Sequence, residues 1–189
     1  TVYDLIPARF PEIYLTDPNV AAQYRSRVQL LRSCDRLLTI SDTTTMDLVS
    51  LVGVPGERIV TVHGAAGDHF MPPVGPPVLR TELDLTAGGY VLCPSGAEWR
   101  KNLDRLLQGW ALVARNVRSR WPLVVQCAMD PATWQHWERR CDDLGVRDDV
   151  RFTGAVGEDD LVALMQAARL VVFPSLYEGL GLPVLEARR

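Results

Sequence analysis

The sequence is nearly without lysine. Of its 20 basic residues only Lys101 is lysine and the rest are arginine. Such a bias follows the nucleotide composition of a genome more than a function, and it singles Lys101 out for inspection. The basic residues do not outnumber the acidic ones. The net charge is −3 at pH 7, which excludes the electrostatic footprint of a nucleic-acid binder. No apolar run approaches the roughly 20 residues that a membrane-spanning helix needs. The four cysteines, Cys34, Cys93, Cys127 and Cys141, form no Cys-x-x-Cys pair and no zinc spacing. They read as buried thiols in a reducing compartment. His63, His69 and His136 form no recognisable metal cluster. There is no Gly-x-Gly-x-x-Gly run after a strand and no Walker lysine, so nicotinamide and P-loop chemistry lose support.

What is present suits a soluble α/β protein. A chain of 189 residues, 47% hydrophobic and 23% charged, can bury a real core. Both ends look cut: residue 1 is not Met, and Pro183 to Arg189 reads as the opening of a helix. The expectation is a fragment, inactive on its own.

Local patterns divide the chain. Val2 to Ile6 reads as a strand running into a loop at Pro7. Asp17-Pro18 reads as an N-cap with proline at the first helical position, opening a helix to about Cys34. Arg36 to Ile40 is a strand. Ser41 caps a helix that stops at Gly53, and Ile59 to Val62 is a further strand. Four prolines between 72 and 77 exclude a helix or a central strand there. The expected organisation is therefore one domain over 1–71, a linker over 72–88 and a second domain over 89–189. Beyond the linker, apolar strands (Tyr90–Cys93, Leu123–Cys127, Val150–Thr153, Leu170–Phe173) alternate with helices (Leu103–Val117, Trp134–Leu144, Glu158–Ala168, and one starting at Pro183). Strands without polar alternation, separated by helices, predict a doubly wound parallel sheet.

Ligands of such sheets sit beyond the carboxyl ends of the strands. Three loops lie there. The first, Pro174 to Glu186, holds Gly179 and Gly181 and leads into a helix whose N–H groups suit a phosphate. Glu178 and Glu186 flank those donors, and carboxylates suit vicinal sugar hydroxyls. The second, Pro94 to Asn102, carries Arg100 and Lys101 behind a small-residue turn that includes Gly96. Adjacent cations can neutralise a departing diphosphate. The third, Phe152 to Gly157, offers backbone groups to a nucleobase. Each has a plainer reading as well: a glycine turn before a helix, a solvated basic helix start and an ordinary strand-to-helix turn.

The segment Glu178 to Glu186 resembles the Glu-x7-Glu signature of the group 1 (family 4) glycosyltransferases. Ser175, Glu178, Gly179, Gly181, Leu182, Pro183, Glu186 and Ala187 match it, and Leu180 replaces the usual phenylalanine. Ser95 to Asn102 resembles the family's Gly-Gly-x-x-x-Arg-Lys-Asn turn, with serine for its first glycine. Ile40-Ser41, Val54 to Phe70 and Tyr3 to Pro7 are similar to its upstream segments. Tyr3 stands where many members have histidine.

The resemblance implies a GT-B fold of two Rossmann-like domains, both incomplete in this chain, and a retaining, metal-independent transfer of a sugar from a nucleoside diphosphate. By it, Glu178, Arg100 and Lys101 serve the reaction. Gly96, Phe152, Gly154, Val156, Gly179, Leu180, Gly181, Leu182 and Glu186 border the donor, and Asp4 lies on the acceptor side. It implies no metal or cofactor beyond the donor substrate, and a glycan, lipid-linked or small-molecule acceptor. The implied location is the cytoplasm, with peripheral contact at the inner face of the membrane left open. A nucleotide-sugar-binding module and an epimerase of nucleotide sugars remain alternatives on the same scaffold.

Overall fold

The computed structural model describes residues 1–72, 75 and 85–188. Most of the expected linker over 72–88 lies outside the described residues. The chain forms two units, one of residues 1–65 with Tyr177–Leu182, the other of residues 66–176 with 183–189.

In the first unit, helical turns α1 (Ile6–Arg9) and α2 (Pro11–Tyr14) precede helix α3 (Pro18–Ser33). Asp17 caps α3, its side chain accepting from the Asn19 and Val20 N–H groups. Strand β1 (Leu37–Thr39) pairs in parallel with β2 (Ile59–Thr61), Leu38 facing Val60 in register. Between them runs α4 (Asp42–Asp47), continued by a π-turn over Leu48–Val52 and ended by left-handed Gly53, whose φ is +74°. Val2, Leu5, Leu37, Leu48, Val52 and Val54 form the core. The expected strand over Val2–Ile6 does not form. Only Val2 bridges to Thr39, because the Asp4 carboxylate takes the Ile6 N–H at 3.0 Å and turns the chain into α1. Pro7, fixed near helical φ, fits that first turn.

The second unit is a four-stranded parallel sheet, ordered β5-β4-β3-β6. Its strands are β3 (Val91–Pro94), β4 (Leu123–Gln126), β5 (Val150–Gly154) and β6 (Leu170–Val171). Alternate residues face opposite sides. Val91, Cys93, Leu123 and Val125 pack with Leu103, Leu107, Trp137 and Cys141, while Leu92 and Val124 pack with Phe70, Val162, Leu164 and Met165. Helices α5 (Leu103–Ala111) and α7 (Pro131–Asp143) therefore cover one face and α8 (Glu158–Ala167) the other. Burial on both faces is why these strands read as apolar runs.

Two expected helices are corrected. The Leu103–Val117 helix stops at Ala111, and a short α6 (Arg115–Arg118) follows. The reason is Arg118, which folds back to donate to the Ala111 carbonyl at 2.8 Å and to Asp149 Oδ2 at 2.9 Å. Helix α7 starts at Pro131, ahead of Trp134, because Asp130 caps it by accepting from the Ala132 and Thr133 N–H groups. The last helix, α9, spans Leu182–Glu186. Among the described residues no helix is long and apolar enough to cross a membrane.

Candidate functional site

The strand order decides where a ligand can enter the second unit. The chain steps from β3 to β4 to β5 and then returns to the other side of β3. Crossovers from the two sides diverge there, leaving a crevice at the carboxyl ends of β3 and β6.

The loops after these two strands are joined. Asn102 donates its side-chain Nδ2–H to the Pro174 carbonyl at 3.0 Å. The Leu176 N–H donates to the Arg100 carbonyl at 2.8 Å. Lys101 Nζ lies 5.4 Å from the centre of the Phe173 ring, within cation–π range. Asn102 itself has φ +61°, a left-handed conformation that asparagine tolerates better than most residues. It turns the chain from the Trp99–Lys101 turn into α5. In the sequence Asn102 stands out only as the last residue of the Arg-Lys-Asn turn, directly ahead of a helix start.

Gly96, Arg100 and Lys101 thus meet at one edge of the sheet. Arg100 is largely covered, its side chain 13% exposed, and its Nη2 pairs with Glu98 Oε1 at 3.0 Å. A Cβ on Gly96 would meet only Lys101 Cγ, at 3.6 Å, and the more distant ends of Glu98 and Lys101. Packing therefore does not demand glycine at this point. Ser175, in the loop after β6, has a buried hydroxyl without a hydrogen-bond partner among the described residues. Such a group costs free energy until a ligand or water satisfies it.

The third loop lies further along the same edge. Phe152 is 5% exposed, and its ring lies 5.6 Å from that of Trp134. Its side chain belongs to the core, so it can offer a ligand backbone groups alone. Gly154 follows with φ +69°, and Val156 packs under α8. From β3 to β5 are two strand spacings, about 10 Å.

Glu186, in α9, lines a cleft with Phe70, Pro72, Met165 and Gln166. Burial raises its pKa, nearby His69 acts in the opposite direction, and Glu158 adds to the rise. His69 Nε2 is 3.2 Å from Glu158 Oε1.

Glu178, Gly179, Leu180, Gly181 and Leu182 group with the first unit. There Gly179 lies against the N-terminal segment: a Cβ on it would fall 2.5 Å from the Tyr3 carbonyl and 3.0 Å from Asp4 Cβ. Gly181 has φ +77° and Gly64 faces Leu180. Tyr177 donates its hydroxyl to Asp47 Oδ2 at 2.7 Å. Burial first, then this bond, pushes the tyrosine pKa up to about 12. Ser41, expected as a cap, accepts the Thr44 N–H at 3.0 Å, and its hydroxyl also donates to the Gly179 carbonyl. That second role had no sequence signal, because it joins residues far apart in the chain.

The protein-family model for glycosyl transferases group 1 matches residues 86–189, more than half of the chain. The O-antigen chain mannosyltransferase B of Escherichia coli is 35% identical over 99% of this chain and 49% of its own length. The serotype-specific mannosyltransferase WbdA of the same species is 30% identical over 99% of this chain and 23% of its own. The chain thus spans half or less of the length of these relatives. Among solved structures, WaaG, a glycosyltransferase involved in lipopolysaccharide biosynthesis, superposes with a TM-score of 0.72 at 21% identity, over 97% of this chain and 51% of that one. Anabaena HepE, solved with UDP and glucose, gives 0.72 at 18% identity, over 86% and 44%. These likenesses mark the fold as GT-B. With its parallel sheets and its match over both switch-point loops, the chain belongs to the group 1 glycosyltransferases.

Proposed function

We propose that this chain carries the donor side of a hexosyltransferase that moves a sugar from a nucleoside diphosphate to an acceptor hydroxyl, with retention and without a metal ion. The observation that carries this reading is the joined pair of loops at the β3–β6 crevice, with Arg100 and Lys101 in one and, in the other, the buried Ser175 hydroxyl that has no hydrogen-bond partner among the described residues. In this reading the diphosphate lies against Arg100, Lys101 and the bare backbone at Gly96. The nucleobase reaches toward Gly154 and Val156, Glu186 takes ribose hydroxyls, and Glu178 to Leu182 hold the sugar. The acceptor enters on the side of Asp4.

The bond from the anomeric carbon to the diphosphate oxygen breaks, and its electron pair stays with the diphosphate. The acceptor oxygen bonds to the anomeric carbon, and its proton passes to the departing diphosphate. Negative charge grows on the leaving group as this happens, and that is where fixed cations accelerate the step. The names of the E. coli relatives make mannose the first sugar to test.

The test is thermal unfolding of the full natural chain with UDP, GDP and ADP and their hexose conjugates, with and without EDTA. A ligand at a hundredfold excess over its Kd adds about 2.7 kcal/mol. Selective stabilisation by one nucleotide, unchanged by EDTA, supports the reading. Product anomers resolved by NMR then check retention. Stabilisation by none of the nucleotides, or turnover to free sugar with no acceptor consumed, overturns it.

A further inference from the structure

We propose that Tyr177, Asp47 and Ser41 form a positioning clamp for Glu178, fastening the residues on either side of it. This rests on the role given to Glu178 above.

On one side, Tyr177 is held through its side chain. Its hydroxyl donates to Asp47 at 2.7 Å, and Asp47 is 3% exposed. Arg9 Nη1 stands 3.7 Å from the other Asp47 oxygen, with its guanidinium 5.5 Å from the Tyr177 ring centre. The Phe10 ring meets the same ring edge-on at 5.6 Å. On the other side, Gly179 is held through its backbone. Its carbonyl accepts from Ser41, and its Cα presses so closely on the Tyr3 carbonyl that no Cβ fits.

Both anchors belong to one helix. Ser41 is the N-cap of α4 and Asp47 its last residue. Six residues of helix separate them by about 9 Å along the axis. Tyr177 and Gly179 are two residues apart, which spans about 7 Å in an extended chain. The segment therefore straddles α4, with Glu178 between its two fastenings. Tyr177 and Ser41 act on turnover through the Glu178 carboxylate and need not touch substrate.

The experiment uses the full natural chain and compares Tyr177→Phe, Glu178→Ala and the double variant. Tyr177→Phe removes one oxygen and keeps the ring against Arg9 and Phe10. The expected result is kcat lower by about 10- to 100-fold, the loss that misplacement on the ångström scale produces. The Kd for the nucleoside diphosphate without its sugar should stay at its wild-type value, and the melting temperature should fall by only a few degrees, since Asp47 loses one hydrogen bond and keeps Arg9. Adding Tyr177→Phe to Glu178→Ala should cause no further loss, since coupled residues are not additive. The proposal is overturned if the two losses multiply. It is also overturned if Tyr177→Phe leaves kcat intact while Glu178→Ala lowers it, or if affinity for the nucleoside diphosphate falls in step with kcat. Full turnover in Glu178→Ala would instead remove the reading of the site, and the clamp with it.

Discussion

The side-chain amide of Asn102 bonds to the carbonyl of Pro174 at 3.0 Å, and this bond ties the loop after β3 to the loop after β6. Asn102 does this from a left-handed backbone, φ +61°. Two substitutions bracket the contributions. Asn102→Gly loses the bond, about 0.5–1.5 kcal/mol, and also sheds the Cβ from the left-handed backbone. Asn102→Ala loses the same bond and keeps a Cβ in the left-handed region, which glycine is rid of, for about 1–2 kcal/mol in glycine's favour. Urea unfolding should therefore rank alanine below glycine, the reverse of ordinary helix propensity.

Arg118 and Asp149 form a covered ion pair at 2.9 Å, each side chain 11% exposed. Arg118→Met leaves the Asp149 carboxylate without its partner and should cost about 3–5 kcal/mol. It also removes the group that bonds to the Ala111 carbonyl at the end of α5. Adding Asp149→Leu should recover most of the loss, because the stranded charge goes with it. Denaturant midpoints of the single and double variants read this directly.

Thiol reactivity should split sharply. Cys93, Cys127 and Cys141 are buried, and Cys34 is partly open. Burial pushes Cys93 up to about 12 and Cys141 up to about 11, and it raises Cys127 as well. The thiolate is the reacting form. At pH 8, modification of the folded protein followed by peptide mass analysis should find Cys34 labelled first, and all four residues labelled only after unfolding.

Glu186 provides the pH test. Its folded pKa lies above the ordinary 4.5, chiefly through burial. The folded state therefore holds this proton more tightly than the unfolded chain does. Its contribution to stability is full below the ordinary value and is lost as pH rises through the raised one. Glu186→Gln should be relatively more stable than the parent at pH 7 than at pH 4, as read from urea midpoints. An identical difference at both pH values would count against the shift.

Much of this architecture is legible in the residues. Asp17-Pro18 and Ser41 announce their helices because capping is local chemistry. The unbroken apolar strands announce a sheet covered on both faces. Two of the misses are local: the Asp4 carboxylate takes an N–H only two residues on, and Asp130-Pro131 opens α7 as Asp17-Pro18 opens α3. The third depends on the chain folding back, since nothing near Leu112 signals that Arg118 will bond to the Ala111 carbonyl. The site shows the same division. The cations and carboxylates are visible as residue types in loops. Their support by Asn102, Asp47 and Ser41 depends on tertiary contacts that no spacing encodes.

The placement of β6 has a consequence for synthesis. As the second unit leaves the ribosome, β4 can pair with β3 and β5 with β4, each with a strand already made. Among the described strands of this unit, β6 is made after the other three and must reach back across the sheet to β3, in register Val91 with Leu170. Until then one side of β3 presents unpaired backbone groups, the kind of edge that recruits foreign strands. Between the making of β5 and of β6 a growing chain thus keeps this edge open to misassociation, and it has no crevice for a nucleotide to occupy until β6 closes that edge.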